Sequence, residues 1–367
     1  MRFVTLFLET ENVHLLKDVG MIPYHLYKDH NMDCTIVTYK NSEKYTYLEN
    51  EVKGLKLQFI KKSPFGAIID GVNYLNRNAS DIDILNIYHL NLSSFFYSIV
   101  YRHRNKNGKI YLKLDMNPIG LVNLYKKDLR GAVKRMTMRM CTLASVETTK
   151  MRNRLVKTYG DKIIYIPNGC YSASDFSKEK KENIILTVGN LGTFEKATDV
   201  LLNAFAEYVK NNKDSDWKLH LVGSVAEDFR EKIDSFYKEN EYLKDRVLFL
   251  GPIYDKKELN REYSKAKVFT LPSLSESFGI VLVEAAMNGC YIIASDMVPA
   301  AFDITDGFKY GKCVKAGDIS SLATAFDEVC NDSVDYKAIA TKTAAHVRTA
   351  FNQTFITDRL YRKLIEK

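Results

Sequence analysis

The 367-residue chain lacks several things, and each lack excludes a class of protein. Its best apolar run, Phe95 to Tyr101, falls far short of the roughly 20 residues a helix needs to cross a bilayer. Six cysteines are scattered without a CxxC or a metal-ligand spacing, so no disulfide framework and no metal site is expected, and a reducing cytoplasm is. Met1 to Leu8 is apolar but has no basic start and no cleavage site, and reads as a first strand rather than a secretory leader. The loop and helix that follow hold one glycine, Gly20, in place of GxGxxG, which argues against a nicotinamide cofactor. No recognised nucleic-acid module is present. No nucleophile stands out.

What is there belongs to a globular protein. Hydrophobic residues make up 46% and charged residues 27%, and the length suggests two domains of ordinary size. The net charge of +8 is unevenly placed: Tyr101 to Lys157 carries +12, leaving −4 for the rest. Apolar strand-like runs alternate with helical ones. Arg2–Leu8, Thr35–Tyr39, Leu55–Ile60, Ile82–Tyr88, Lys109–Leu114, Leu143–Val146 and Ile163–Ile166 are expected strands, with helices over Asp18–Asp29, Gly66–Asn76 and from the serines after Asn91. Pro167-Asn168-Gly169 is a turn, and Tyr171–Lys181 is polar and aperiodic, a linker. A second series opens at Ile184–Val188 and continues through Trp217–Val222 and Val247–Leu250.

The densest information lies in LPSLSESFGIVLVEAAMNGCYIIAS, Leu271 to Ser295. The strand Ala266–Leu271, a serine-rich loop, a helix over Phe278–Asn288 stopped by Gly289, and the strand Cys290–Ser295 make a parallel crossover. Ligands in such sheets sit beyond the carboxyl ends of the strands, where this loop lies. Between Ile280 and Met287 every residue but Glu284 is apolar, so this carboxylate has little solvent face and needs partners that ligand hydroxyls supply. Glu276 precedes the helix, and the amides of Ser277 to Ile280 are the donors of its first turn, suited to a diphosphate. The other reading is a cap residue and a solvated helix carboxylate.

ESFGIVLVEAAMNG resembles the paired-glutamate signature of the retaining nucleotide-sugar glycosyltransferases called family 4. The resemblance implies the α/β GT-B fold, two Rossmann-like domains with parallel sheets facing across a cleft. It implies that Glu276 with Ser277, Phe278, Gly279 and Ile280 holds the donor sugar and phosphates, and that Glu284 holds the ribose. In GNLGTFEKATDVLLNAF, Gly189, Lys196, Asp199, Leu201, Leu202, Ala204 and Phe205 match the family pattern, while Asn190 stands where an arginine is usual. Ile253 in GPIYDKKEL falls where the backbone meets the nucleobase, and Gly20 falls in the loop that approaches the donor phosphates. His14 and Lys17 share that loop on the acceptor side. Asp115, at the end of the Lys109–Leu114 strand, occupies a place held by histidine in many relatives.

The domains expected are 1–168 for the acceptor, a linker at 169–183, 184–345 for the nucleotide-sugar, and a helix at 346–367 returning to the first domain. The function implied is transfer of a sugar, most simply from a UDP-sugar, to a glycan or lipid-linked acceptor in bacterial surface polysaccharide synthesis. It proceeds with retention and without metal or other cofactor, with Lys196 and Glu276 as the catalytic residues and with attack and departure on one face of the sugar. A non-catalytic GT-B subunit and a nucleotide-sugar epimerase are the alternatives. Asn123–Met140 reads as a basic amphipathic helix. Its apolar stripe either packs on the core or lies on an anionic membrane surface, the latter making the protein peripheral on the inner face of the cell membrane; nucleic acid is not expected as a partner.

Overall fold

The computed structural model describes residues 1–169, 180–330 and 334–366. The chain divides into two compact units, residues 1–171 with 351–367, and residues 172–350. Most of the expected linker at 169–183, together with Cys170, lies outside the described residues.

The first unit is built on a seven-stranded sheet: β1 (Arg2–Leu6), β2 (Asp33–Thr38), β3 (Lys56–Phe59), β4 (Ile84–Tyr88), β5 (Lys109–Lys113), β6 (Leu143–Val146) and β7 (Ile163–Tyr165). The order is β3-β2-β1-β4-β5-β6-β7, all parallel. Central strands are apolar on both faces because helices cover both: Phe3, Val4, Ile84 and Leu85 are fully buried. The edge strand β3 instead leaves Phe59 48% exposed. The helices are α1 (Asp18–His30), α2 (Ala67–Asn78), α3 (Leu92–Arg104), α4 (Pro118–Tyr125), α5 (Leu129–Met140) and α6 (Thr149–Tyr159). Right-handed crossovers put α3, α4, α5 and α6 on one face of the sheet. On the other, α1 packs against the C-terminal helix Gln353–Ile365.

Sequence expectation and structure differ in instructive ways. Asn123–Met140 is not one helix. Asp128 is extended, and its carboxylate caps the Gly131 amide, so α4 ends at Tyr125 and α5 begins afresh at Leu129. Of the expected stripe, Leu124, Leu129, Val133, Met136 and Met140, only Leu124 is fully buried, while Leu129 and Met136 face out. Gly20 is not in a loop. It lies in the first turn of α1, buried, and a side chain there would strike the Leu15 carbonyl oxygen at 2.2 Å, so its smallness lets the preceding 3-10 turn Asn12–Leu16 close onto α1. Thr148 caps α6, and Glu147 is turned inward.

A buried carboxylate shows how polar groups are handled in this unit. Asp70 on α2 is 7% exposed and accepts hydrogen bonds from the Tyr39 hydroxyl at 2.6 Å and the Ser63 amide at 3.0 Å. Ser63 first, then Tyr39, hold its carboxyl below the ordinary value of 3.8. A depressed folded value means the contribution is complete above 3.8 and is lost as the pH falls through the folded value. Asp70→Asn is therefore expected to cost about 1.5–3 kcal/mol at neutral pH. Urea midpoints of the two proteins should converge as the pH drops below the ordinary carboxylate range.

The second unit carries β8 (Glu182–Val188), β9 (Lys218–Val222), β10 (Val247–Gly251), β11 (Ala266–Leu271), β12 (Tyr291–Ser295) and β13 (Gly311–Val314). Their order is β10-β9-β8-β11-β12-β13, again parallel. The direction of winding reverses between β8 and β11, so the loops leaving these two neighbours diverge and leave a crevice at their carboxyl ends. The helices used below are α7 (Thr198–Asn211), α8 (Lys256–Lys265) and α9 (Ile280–Met287). α9 starts two residues later than the sequence suggests, because Gly279, at φ +79°, breaks the helical path. Among the described residues no helix is long and apolar enough to cross a membrane.

Candidate active site

The loop leaving β8 begins with Gly189 and carries Lys196 in a short 3-10 turn, Phe194–Lys196. Ala197 then takes the left-handed conformation at φ +50°, and the chain turns sharply into α7. The Thr198 hydroxyl accepts from the Gly192 amide at 2.8 Å and folds the loop back on itself. Close approach sets the residue types here. A side chain on Gly223 would meet the Gly189 carbonyl oxygen at 1.8 Å, so the ends of β8 and β9 can pack only with glycine at 223. The Lys196 chain lies over Gly189, its Cε 3.6 Å from where a side chain would begin.

The loop leaving β11 runs from Pro272 to Gly279. The Leu274 amide donates to the Glu195 carbonyl at 2.8 Å, which ties the two switch-point loops together. In that setting Lys196 Nζ meets Glu276 Oε2 at 2.6 Å, with both side chains partly buried. These residues are 80 positions apart in sequence, and the fold makes them one ion pair. Ser277, Phe278 and Gly279 follow, and the Ile280 and Val281 amides come before the first hydrogen bond of α9, which runs from the Leu282 amide to the Gly279 carbonyl at 2.9 Å. Phe278 is buried, Ser277 half-buried and Ile280 exposed. The pair and the helix start together present a cation, a carboxylate and a positive dipole end within one loop cluster, an arrangement suited to a phosphorylated, hydroxylated ligand.

Glu284 lies one turn into this element, half-buried among Leu282, Val283, Ala285 and Ala286. Burial pushes its carboxyl up; the hydroxyl of Tyr263, donating to Oε2 at 3.0 Å, and the charge of Lys256 oppose that. Its partner within the protein is thus a tyrosine on α8, which sequence reasoning missed. Ile253, half-buried, lies between β10 and α8. Asn190 is exposed, and its Oδ1 accepts from the Ser224 hydroxyl at 3.3 Å.

The acceptor-side candidates lie in the first unit. His14 is half-buried, its Nδ1 accepting from the Glu11 amide at 2.9 Å and its ring edge-on to Phe7 at 5.8 Å. Burial, then Lys17, lowers its pKa, so the imidazole is neutral at pH 7. Lys17 is exposed. Asp115 follows β5 in the left-handed region at φ +42°. His89, which the sequence reading did not single out, stands in the left-handed region at φ +61° directly after β4, its ring 6.3 Å from that of Phe7. Its signal was its place at the carboxyl end of the strong strand DILNIY.

Beneath Asp115 lies a buried ion pair. Lys113 is fully buried and donates to Glu147 Oε1 at 2.7 Å, to the Ile166 carbonyl at 3.1 Å and to Asn168 Oδ1 at 3.0 Å. Glu147 also accepts the Asp115 amide on Oε1 and the Met116 amide on Oε2, each at 3.1 Å. Burial opposes charge on Lys113, but Glu147 and Asp18 outweigh it and hold the ammonium above its ordinary value. Burial likewise pushes Glu147 up, yet three donors on two oxygens fit the ionised carboxylate. The pair fixes the corner on which Asp115 stands.

Residues 173–346 match the family model described as glycosyl transferases group 1. The D-inositol 3-phosphate glycosyltransferase of Nocardia farcinica is 26% identical over 215 residues, 54% of this chain and 47% of that one. The O-antigen chain mannosyltransferase RfbU of Salmonella typhimurium is 27% identical over 180 residues, 48% of each chain. The chain thus spans about half the length of these curated relatives. Among solved structures, Anabaena HepE in complex with UDP superposes with a TM-score of 0.75 at 16% identity over 99% of both chains. The sucrose-phosphate synthase of Thermosynechococcus elongatus superposes at 0.73 and 19% identity, also over 99% of both. The two parallel sheets and these neighbours give the GT-B fold. Residues 173–346, just under half of the chain, are the part that is similar to the glycosyl transferases group 1 family.

Proposed function

We propose that the protein transfers a sugar from a UDP-sugar to a glycan or lipid-linked acceptor, with retention and without a metal ion, in the synthesis of a bacterial surface polysaccharide. The observation that carries this reading is the Lys196–Glu276 ion pair at the switch point, set beside the start of α9. Lys196 and the first-turn amides stabilise the negative charge that builds on the departing diphosphate. Glu276 orients Lys196 and accepts hydrogen bonds from the donor sugar. Glu284 takes the ribose hydroxyls, with Tyr263 holding its carboxylate in place. The acceptor oxygen loses its proton to the departing phosphate, on the same face of the sugar, so no protein nucleophile is needed. His14, Lys17 and Asp115 act toward the acceptor. The UDP complex of HepE and the mannosyltransferase role of RfbU support the donor class and the surface-glycan setting. Cytoplasmic placement follows from the nucleotide-sugar donor.

Titration calorimetry without metal, using UDP, GDP and ADP, tests the reading. UDP is expected to bind, and Glu284→Ala to weaken it about 10–100-fold through loss of charged hydrogen bonds to the ribose. Binding of GDP or ADP in its place would change the donor. No binding by any nucleotide would replace the reading with a non-catalytic subunit. Asn190 is the residue that favours that second reading, since it offers no cation where the resemblance expects an arginine.

A further inference from the structure

We propose that the outward face of the α4–α5 hairpin docks on an anionic lipid surface. The split of the 123–140 segment changes which residues face water. The core needs of the two helices are met by Leu121, Leu124, Thr137 and Met138, all buried. Four other apolar side chains are left in solvent: Ile119 at 51% exposure, Val122 at 63%, Leu129 at 81% and Met136 at 48%. Ile119 and Val122 are three apart and share one side of α4. Leu129 stands at the tip, directly after the Asp128 cap.

The turn that carries this tip is fixed rather than loose. Arg135 donates to the Leu124 and Lys126 carbonyls at 2.9 and 2.7 Å and holds the end of α4 to α5. Around the tip, Lys126, Lys127 and Arg130 are exposed, and residues 118–140 carry a net charge of +5. The one acidic residue among them, Asp128, directs its carboxylate to the Gly131 amide at 2.7 Å. On α3, in the same helical layer, Leu92, Phe96 and Ile99 repeat at helical spacing and are 56%, 41% and 40% exposed.

The mixture of residue types selects the occupant. Cores of protein–protein contacts are depleted in lysine, whereas here lysines flank the most exposed apolar side chain. Apolar tips that enter the acyl boundary, ringed by long cationic chains that reach phosphate headgroups, are the pattern of an interfacial helix. The charge makes the surface an anionic one. None of these residues belongs to the donor site, so docking stands or falls separately from the sugar-transfer reading.

The test is co-sedimentation of the full chain with vesicles of phosphatidylcholine alone or mixed with phosphatidylglycerol, without nucleotide. The wild type is expected to bind the mixed vesicles and to release as salt rises. The combined Lys126→Glu, Lys127→Glu and Arg130→Glu variant is expected to bind at least about tenfold more weakly. Leu129→Ser with Val122→Ser, which leaves the charge unchanged, is expected to lose several-fold. Thermal midpoints should be those of the wild type in both cases, because the altered side chains are exposed. Three results overturn the proposal: no wild-type binding to mixed vesicles, unchanged binding by the charge-reversed variant, or unchanged binding by the serine variant. A dimer that the serine changes dissolve, in a protein that ignores vesicles, overturns it in favour of a second copy of the chain.

Discussion

Replacing Lys196 by alanine is expected to slow release of UDP from a UDP-sugar by about 10²–10³-fold, the usual cost of removing one preorganised group that meets transition-state charge. The position of the residue makes the effect large. The β8 and β11 loops start from neighbouring strands where the sheet reverses its winding, and across the crevice between them the Leu274–Glu195 hydrogen bond ties one loop to the other. Lys196 is therefore held before the donor arrives, and Glu276 at 2.6 Å sets the direction of its ammonium. Stability should change little, by about 1 kcal/mol or less, since the pair is partly open to water. The measurement is the rate at saturating donor together with a melting curve. A variant as fast as the wild type would remove Lys196 from the chemistry. Lys196→Arg separates charge from shape: it keeps the cation but alters its reach, and is expected to fall between the two.

Glu147→Ala is expected to destabilise the first unit by about 3–5 kcal/mol, the range seen when one member of a buried ion pair is removed. The change strands a fully buried Lys113 ammonium and takes the acceptor from the Asp115 and Met116 amides at one stroke. Lys113 keeps the Ile166 carbonyl and Asn168 Oδ1, which are neutral, and Asp18, whose carboxylate stands off at 3.8 Å and replaces the 2.7 Å contact with Glu147 only in part. Pairing the change with Lys113→Met should restore part of the loss, because the ammonium is no longer stranded, although Asp18 then loses its cation at 3.8 Å. Urea denaturation of the two single variants and the double variant measures the coupling. A Glu147→Ala protein as stable as the wild type would mean that the lysine is already neutral in the fold.

Much of the parallel architecture was legible because strands buried on both faces read as continuous apolar runs, as Ile82–Tyr88 and Ala266–Leu271 do. The β11–α9–β12 unit was legible for the same reason, with Glu284 conspicuous as the polar break in an apolar helix. The pairing of Lys196 with Glu276 was not legible, since it depends on the order of strands and not on spacing. Tyr263 was hidden likewise: nothing local ties a tyrosine on α8 to a carboxylate on α9. Gly20 lies inside the helix expected over Asp18–Asp29, and the loop that the resemblance implied for it is absent there, because Leu15 comes close enough to demand a glycine within the helix. Asn123–Met140 misled because its apolar spacing continues across Asp128, and the cap that interrupts it is a single side-chain hydrogen bond.

The C-terminal helix has a consequence for how the chain is made. Ile356, Leu360 and Leu364 are buried in the same core cluster as Leu15, Ile22, Leu26 and Ile36. The ring of Tyr361 stacks on His30 at 3.9 Å, and Lys109 Nζ donates to the carbonyls of Leu364 and Glu366, each at 2.7 Å. The half encoded first therefore cannot close its core until its last helix has left the ribosome. The half encoded second is continuous and has everything it needs earlier. The first sheet thus receives the last of its covering helices only after the whole of the second unit has been made.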